Sequence, residues 1–367
     1  MSDNISNGNN TMVIKYWGVR GSIPSPLTME QLHEKETALI KKISADGGIE
    51  KLFGADCDSA KINSYLESLP LSLAGTYGGD TTCFEIKVKD SPLIMIDAGT
   101  GARNLGKVLL GRLFTSKNLN PLNTVAAHNK DIYLFFTHYH WDHLQGFPFF
   151  APGFLPGDFR INLHFYGKSN TRQRLSDVLA GQQEYPNFPV VWEDMPCNKN
   201  CIELGRLEPN FIQVGGAKIT YQELTHPDSV FAYKVETGGK KFVCATDTEH
   251  KDTPDPRLIK LAKDADILYY DCQYTPEEYV GTPGTLTGAL TKFDWGHSTY
   301  EWGIKNALAA GVKTLVLGHH EPMRDDFQIE KLMERALEYR DTQLALAQNE
   351  GKKLDVIMGC QGLEQKL

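Results

Sequence analysis

Apolar residues along the chain fall into short β-branched and aromatic runs bounded by Gly, Pro or Asp, interleaved with longer stretches at helical spacing. The runs predict strands at 12–17, 82–88, 93–97, 132–137, 161–166, 217–223, 230–236, 241–246, 266–271 and 313–318. Helices are predicted at 101–111, 171–182, 256–263, 299–310 and 327–349. The last of these sets Ile329, Leu332, Ala336 and Leu337 on one stripe. Early strands adjoin one another and later ones alternate with helices. That order predicts an α/β fold with two packed sheets and helices outside, not a doubly wound sheet. Residues 1–11, rich in Asn, Ser and Gly, read as a disordered terminus. Between IPSP and TYGGDTT, residues 27–75 carry two helical patterns, EQLHEKETALIKKI and SAKINSYLESL. They are expected to form an inserted hairpin, too short for a core of its own, inside a single domain spanning 12–367.

Composition narrows the function. Hydrophobic residues make up 41% and charged residues 23%, so a large soluble core is expected. The net charge of −8 argues against a surface that tracks long nucleic acid. A small anionic substrate stays compatible, because bound cations would dominate the local field. No apolar run reaches the roughly 18 residues of a membrane span. The opening MSDNISNGNN has no signal-peptide pattern, and a cytoplasmic protein is expected. Seven scattered cysteines then read as reduced thiols. Cys197 and Cys201 lie in a loop-like stretch with no second pair to complete a zinc site. Neither GxGxxG nor a P-loop is present.

The strongest chemical signal is IYLFFTHYHWDHLQG at 132–146. A strand-like run ends at Thr137, and His138, His140, Asp142 and His143 follow within six residues. One short loop thus presents three imidazoles and a carboxylate, donors suited to zinc, manganese or iron. Four such ligands over-fill one tetrahedral ion but suit two neighbouring ones. Three more candidates stand at strand ends: His226 after YQELT, Asp247 after KFVCAT and His319 after TLVLG. Alone, each reads equally well as a cap or turn residue.

HYHWDH followed by a lone His, a strand-end Asp and a final strand-end His resembles the metallo-β-lactamase superfamily, over nearly the whole chain. LTHPDSVFAYKV, ATDTEH, WGHST and LVLGHHEP resemble its phosphodiesterase branch, which includes ribonuclease Z-like tRNA 3′-processing enzymes. The resemblance implies a four-layer αββα sandwich with the site at one edge. It also implies two divalent metal ions, zinc foremost, with manganese or iron as alternatives. His138, His140 and His226 would hold one ion, Asp142, His143 and His319 the other, and Asp247 would bridge them. His319 is favoured over the adjacent His320. His297, in an H-S-T sequence, would reach the substrate phosphate or leaving oxygen, and Asp142 stands beside it as a catalytic candidate. Asp97 and, more weakly, Asp271 are expected to support the metal loop by hydrogen bonds. Arg20 would pair either with a phosphate or with a surface carboxylate. His33, His128, His164 and His250 have no evident partner.

The expected reaction is two-metal hydrolysis of a small phosphodiester, a cyclic nucleotide foremost. A hydroxide shared by ions ~3.5–4 Å apart attacks, and His297 protonates the leaving oxygen. The alternatives are RNA 3′-end processing, thioester or lactam hydrolysis, and a non-catalytic accessory protein of the same fold. No basic arm for tRNA is evident in the sequence. The 27–75 insertion is expected to cover the active-site edge or to form a homodimer contact.

Overall fold

The computed structural model describes residues 12–89, 91–115, 130–168, 173–205 and 210–367. The expected disordered terminus, His128 and the start of the helix predicted at 171 lie outside the described residues. In chain order the strands are β1 (Met12–Gly18), β2 (Cys83–Val88), β3 (Leu93–Ile96), β4 (Asp131–Phe135), β5 (Asn162–Lys168), β6 (Asn198–Leu204) and β7 (Phe211–Val214). They continue with β8 (Ala217–Leu224), β9 (Val230–Thr237), β10 (Lys240–Ala245), β11 (Ile267–Asp271), β12 (Thr314–Gly318), β13 (Asp355–Met358) and β14 (Glu364–Lys366). One sheet has the order β14-β1-β2-β3-β4-β5-β6 and the other β13-β12-β11-β10-β9-β8-β7.

The helices are α1 (Met29–Ala45), α2 (Ile49–Phe53), α3 (Ser59–Glu67), α4 (Leu71–Ala74), α5 (Gly101–Thr115) and α6 (Trp141–Leu144). After these come α7 (Leu175–Gly181), α8 (Pro256–Leu261), α9 (Pro276–Tyr279), α10 (Tyr300–Ala310) and α11 (Asp326–Leu344). Strand alternation builds the layers. Phe242, Cys244, Ile267, Tyr269 and Val316 face Ile14, Tyr16, Phe84, Ile86 and Phe135 across the two sheets. Their neighbours Val243, Ala245, Leu268, Tyr270, Leu315 and Leu317 face outward onto α8, α10 and α11. On the far side Met95, Ile132, Leu134 and Phe165 pack under α5 and α7. Strands covered on both faces read as continuous apolar runs, which is what β11 and β12 are. The result is the four-layer αββα sandwich that the sequence resemblance implies.

Two expectations need correction. The stretch holding Cys197 and Cys201 is not a loop, because Cys201 sits within β6. The 27–75 segment forms four helices instead of a hairpin. Lys35 of α1, buried, reaches Asp326 Oδ2 at 2.5 Å and the Leu71 carbonyl at 3.0 Å, which ties the segment to the start of α11. Asp326 also accepts from the Tyr77 N–H. The segment thus docks on the outer helical layer. Its apolar stripe is incompletely covered, with Leu32 and Ile40 exposed. No helix among the described residues is long and apolar enough to cross a membrane.

Candidate metal centre

Six strands deliver polar side chains to one edge of the sandwich as they leave it. Asp97 follows β3, His138 and His140 follow β4, and His226 follows β8. Asp247 follows β10 and His319 follows β12, while Asp271 is the last residue of β11. Parallel pairing of β10, β11 and β12 brings the last three to the same level. Asp97 (φ +57°), Asp247 (φ +51°) and His319 (φ +57°) all adopt the left-handed backbone conformation, which non-glycine residues rarely take. Strained turns of this kind persist only where surrounding structure holds them, and functional sites are where they gather.

The ligand atoms form two groups. Those of His138, His140 and His226 lie within 4.8 Å of one another, as do those of Asp142, His143, Asp247 and His319. His319 Nε2 is 3.2 Å from both Asp142 Oδ2 and Asp247 Oδ1. His320 points away, its Nε2 against the Gly359 carbonyl, and belongs to neither group.

Neighbours fix most of these rings. Asp97 takes the Thr137 N–H, the Thr137 hydroxyl and His143 Nδ1, the last at 2.7 Å. Gln273 Oε1 holds His319 Nδ1 at 3.0 Å. Each contact commits Nδ1 as donor and turns the Nε2 lone pair toward the clusters, the tautomer a metal needs. His140 and His226 are exceptions. His140 Nε2 meets Asp228 Oδ2 at 3.1 Å, and His226 Nδ1 accepts from the Asp228 N–H at 3.3 Å, contacts that binding a cation through Nε2 would have to give up. Gly296 (φ +87°) lies against this ring so closely that a Cβ there would sit 2.1 Å from Cδ2.

Two observations show that the residues suit cations. Nε2 of His138 and His226 are buried without a hydrogen-bond partner, a costly arrangement for a polar atom, and Nε2 of His143 faces only carboxylate oxygens, Asp142 Oδ2 and Asp247 Oδ2, each at 3.2 Å. The charges are also lopsided. Burial opposes a charged His319 ring, yet Asp247, Asp142 and Asp271 outweigh it and hold its pKa up at about 9. The same contest raises His143 well above the ordinary value, with Asp247, Asp142 and Asp97 overcoming burial. Burial, with His143 beside it, pushes His138 well down, and burial lowers His226 to about 4. Burial raises the Asp247 carboxyl, but His319, His143 and His138 together hold it well below its usual range. Positive charge is in demand here, and on side chains alone only protonated histidines meet it.

Beyond the ligands, His297 Nδ1 meets Asp271 Oδ2 at 3.0 Å, and Asp271 Oδ1 accepts the Ser298 N–H. Asp247, Asp271, His297 and His319 form a third close group. His297 lines a pocket of about 300 Å³ together with Ser22, Tyr139, His140, Trp141, Asp142 and Asp247. Arg20 does meet a carboxylate, but a buried one, with Asp326 Oδ1 3.9 Å from its guanidinium, and it also bonds to the carbonyls of Gly78, Glu321 and Arg324. His164 bonds Asp131, His250 bonds the Ser298 hydroxyl, and His33 is exposed. Sequence reasoning missed Gln273, Ser22, whose N–H donates to Asp142 Oδ2 at 2.8 Å, and Glu249. Glu249 anchors the loop before His297 through the N–H groups of Asp294 and Gly296. A buried Glu two residues beyond Asp247 was the available signal.

Residues 93–320, well over half the chain, match the family model of the beta-lactamase superfamily domain, and the chain belongs to this superfamily. No curated protein matches it in sequence. Solved structures share its fold. The metallo-beta-lactamase fold protein YhfI from Bacillus subtilis has a TM-score of 0.55 at 15% identity, covering 98% of this chain and 100% of that one. Unliganded yeast PDE1 has a TM-score of 0.55 at 12% identity, covering 98% and 100%. The short form of human tRNase Z has a TM-score of 0.51 at 14% identity, covering 96% and 98%.

Proposed function

We propose that the chain is a dinuclear metal-dependent phosphodiesterase that hydrolyses a small phosphodiester, a cyclic nucleotide foremost. The observation that supports this most is the pair of adjoining His/Asp ligand groups, in which the buried Nε2 atoms of His138 and His226 have no hydrogen-bond partner and that of His143 faces two carboxylates. His138, His140 and His226 would hold one cation, Asp142, His143 and His319 a second, with Asp247 between them. Zinc suits so imidazole-rich a donor set, with manganese or iron as alternatives. Two such cations supply a water that deprotonates near neutral pH and offset charge on the phosphoryl oxygens.

The remaining work falls to the chain. Asp271 fixes His297 through Nδ1, which leaves Nε2 to pass a proton to the leaving oxygen. Asp142, the other catalytic candidate, is held through Oδ2 by the Ser22 N–H. The pocket of about 300 Å³ is at the small end for ligand sites, and the net charge of −8 disfavours a long polyanion. Both features support a small substrate.

The test is elemental analysis of protein purified without chelator, then turnover of bis(p-nitrophenyl) phosphate and a panel of cyclic nucleotides. Two metals per chain with cleavage of a cyclic nucleotide is the expected result. Fewer than two metals, or two metals and no diester cleaved, refutes the reading. Cleavage of RNA 3′ ends alone replaces the substrate and keeps the chemistry.

A further inference from the structure

Trp141 lies between two candidate ligands, His140 and Asp142, and its side chain is 81% exposed. The other tryptophans are engaged. Trp17 is buried and bonds Glu85, Trp192 packs on Phe147 and Phe165, and Trp302 stacks on His250. Trp295, 44% exposed and close in sequence to His297, has Lys292 Nζ 5.0 Å from its ring centre. Among the tryptophans of the described residues Trp141 is the one without a ring or cation partner, and it lines the pocket that holds His140, Asp142, Asp247 and His297.

Pocket size turns this exposure into a constraint. At about 300 Å³ the pocket is at the lower limit for ligand sites, so a nucleotide with its phosphate beside His297 must extend over the rim. The free indole is on that rim. A planar base is the group that gains most there, because its flat face covers an indole whatever its hydrogen-bonding edge.

We propose that Trp141 is a specificity-determining residue, the platform on which the base of a nucleotide substrate stacks while its phosphate occupies the metal pocket. This rests on the phosphodiesterase reading for the placement of the phosphate. The platform favours nucleotides over base-free sugar phosphates and discriminates little among bases.

Binding of adenosine 5′-monophosphate and of ribose 5-phosphate to the metal-loaded chain tests it, by calorimetry and by tryptophan emission. The nucleotide should quench wild-type emission, and Trp141→Phe should remove that quench while keeping nucleotide affinity within a few-fold. Trp141→Ala should lower the ratio of nucleotide to ribose-phosphate affinity by about 5- to 150-fold, the span expected for loss of one base–aromatic stack. An unchanged ratio overturns the proposal. So does an equal loss on both ligands, which would make Trp141 a positioning element of the metal loop, and so does absence of nucleotide binding at millimolar concentration. The two readings fail separately. Turnover of diesters with an unchanged ratio removes the platform alone, and a Trp141-dependent ratio without any turnover removes the phosphodiesterase reading alone.

Discussion

Gly296→Ala is the sharpest perturbation the geometry offers. An added Cβ would lie 2.1 Å from His226 Cδ2 and 2.8 Å from its Nε2, with Pro227 Cδ at 2.9 Å behind. Ordinary contact begins at 3.4 Å, so the ring must retreat by about 1.3 Å, the difference between the two distances. Metal–ligand distances tolerate about 0.2 Å. The displaced ring therefore cannot keep its place with His138 and His140, whereas Asp142, His143, Asp247 and His319 are not touched. Backbone strain adds to this, since alanine at φ +87° costs on the order of 1–2 kcal/mol. Gly284 supplies the control: it has φ +85° in the same loop and open space around its Cβ position. Elemental analysis should return one metal for Gly296→Ala and two for Gly284→Ala, with both variants melting a few degrees low. Two metals and full activity in Gly296→Ala would refute the assignment of His226 as a ligand.

Three further outcomes are expected. Asp247→Ala should abolish the metal pair, because it removes the carboxylate proposed to bridge the two ions, and retention of two metals on elemental analysis would sink that role. His297→Ala should keep metal content near two while turnover falls by ~10²–10⁴, less with a p-nitrophenolate leaving group than with an alkoxide; an equal loss on both would mean phosphate positioning. The third concerns pH in chelator-treated protein. His319 is raised from 6.5 to about 9, so its stabilisation is complete below pH 6.5 and is lost as pH rises through 9. His226, lowered to about 4, acts on the other side and destabilises as pH falls from 6.5 toward 4. Thermal melts should peak near pH 6.5, and restoring metal should flatten the alkaline limb. A melting temperature that rises from pH 6.5 to 9 without metal would contradict the charge balance described for the site.

How much of this was legible in the sequence follows from burial. The ten predicted strands are present with ends shifted by at most two residues, and each lies inside a sheet. The four that went unread, β6, β7, β13 and β14, are the four sheet edges. β6 and β14 carry polar residues, as in NKNCIEL and EQK, and give no apolar period to read, whereas β7 (FIQV) and β13 (DVIM) are apolar but only four residues long. The candidate ligands were legible because four fall within six residues and the other three each end an apolar run. Gln273 and Ser22 were not, since their roles depend on partners 46 and 120 residues away. The setting of Arg20 was hidden for a related reason. Its carboxylate partner is not at the surface but is Asp326, buried with it in a distant segment, and the guanidinium also serves three carbonyls.

Asp97, Asp142, Asp247 and Asp271 are all buried, and among the described residues no Lys or Arg forms an ion pair with any of them. Isolated buried carboxylates cost several kcal/mol each unless compensated. Structural networks elsewhere in the chain use permanent cations, as Lys35 does for Asp326 and Arg324 for Glu278. Here every ion-pairing partner is a histidine, whose charge is conditional on pH and whose ring nitrogen serves equally well as a metal ligand. A fold selected only for rigidity would gain more from one arginine than from this arrangement. Its rings are held by Asp97 and Gln273, and two Nε2 atoms, of His138 and His226, are left unpartnered. What the arrangement gains is exchangeable positive charge at a fixed place, and that is what a two-metal hydrolase requires of its protein.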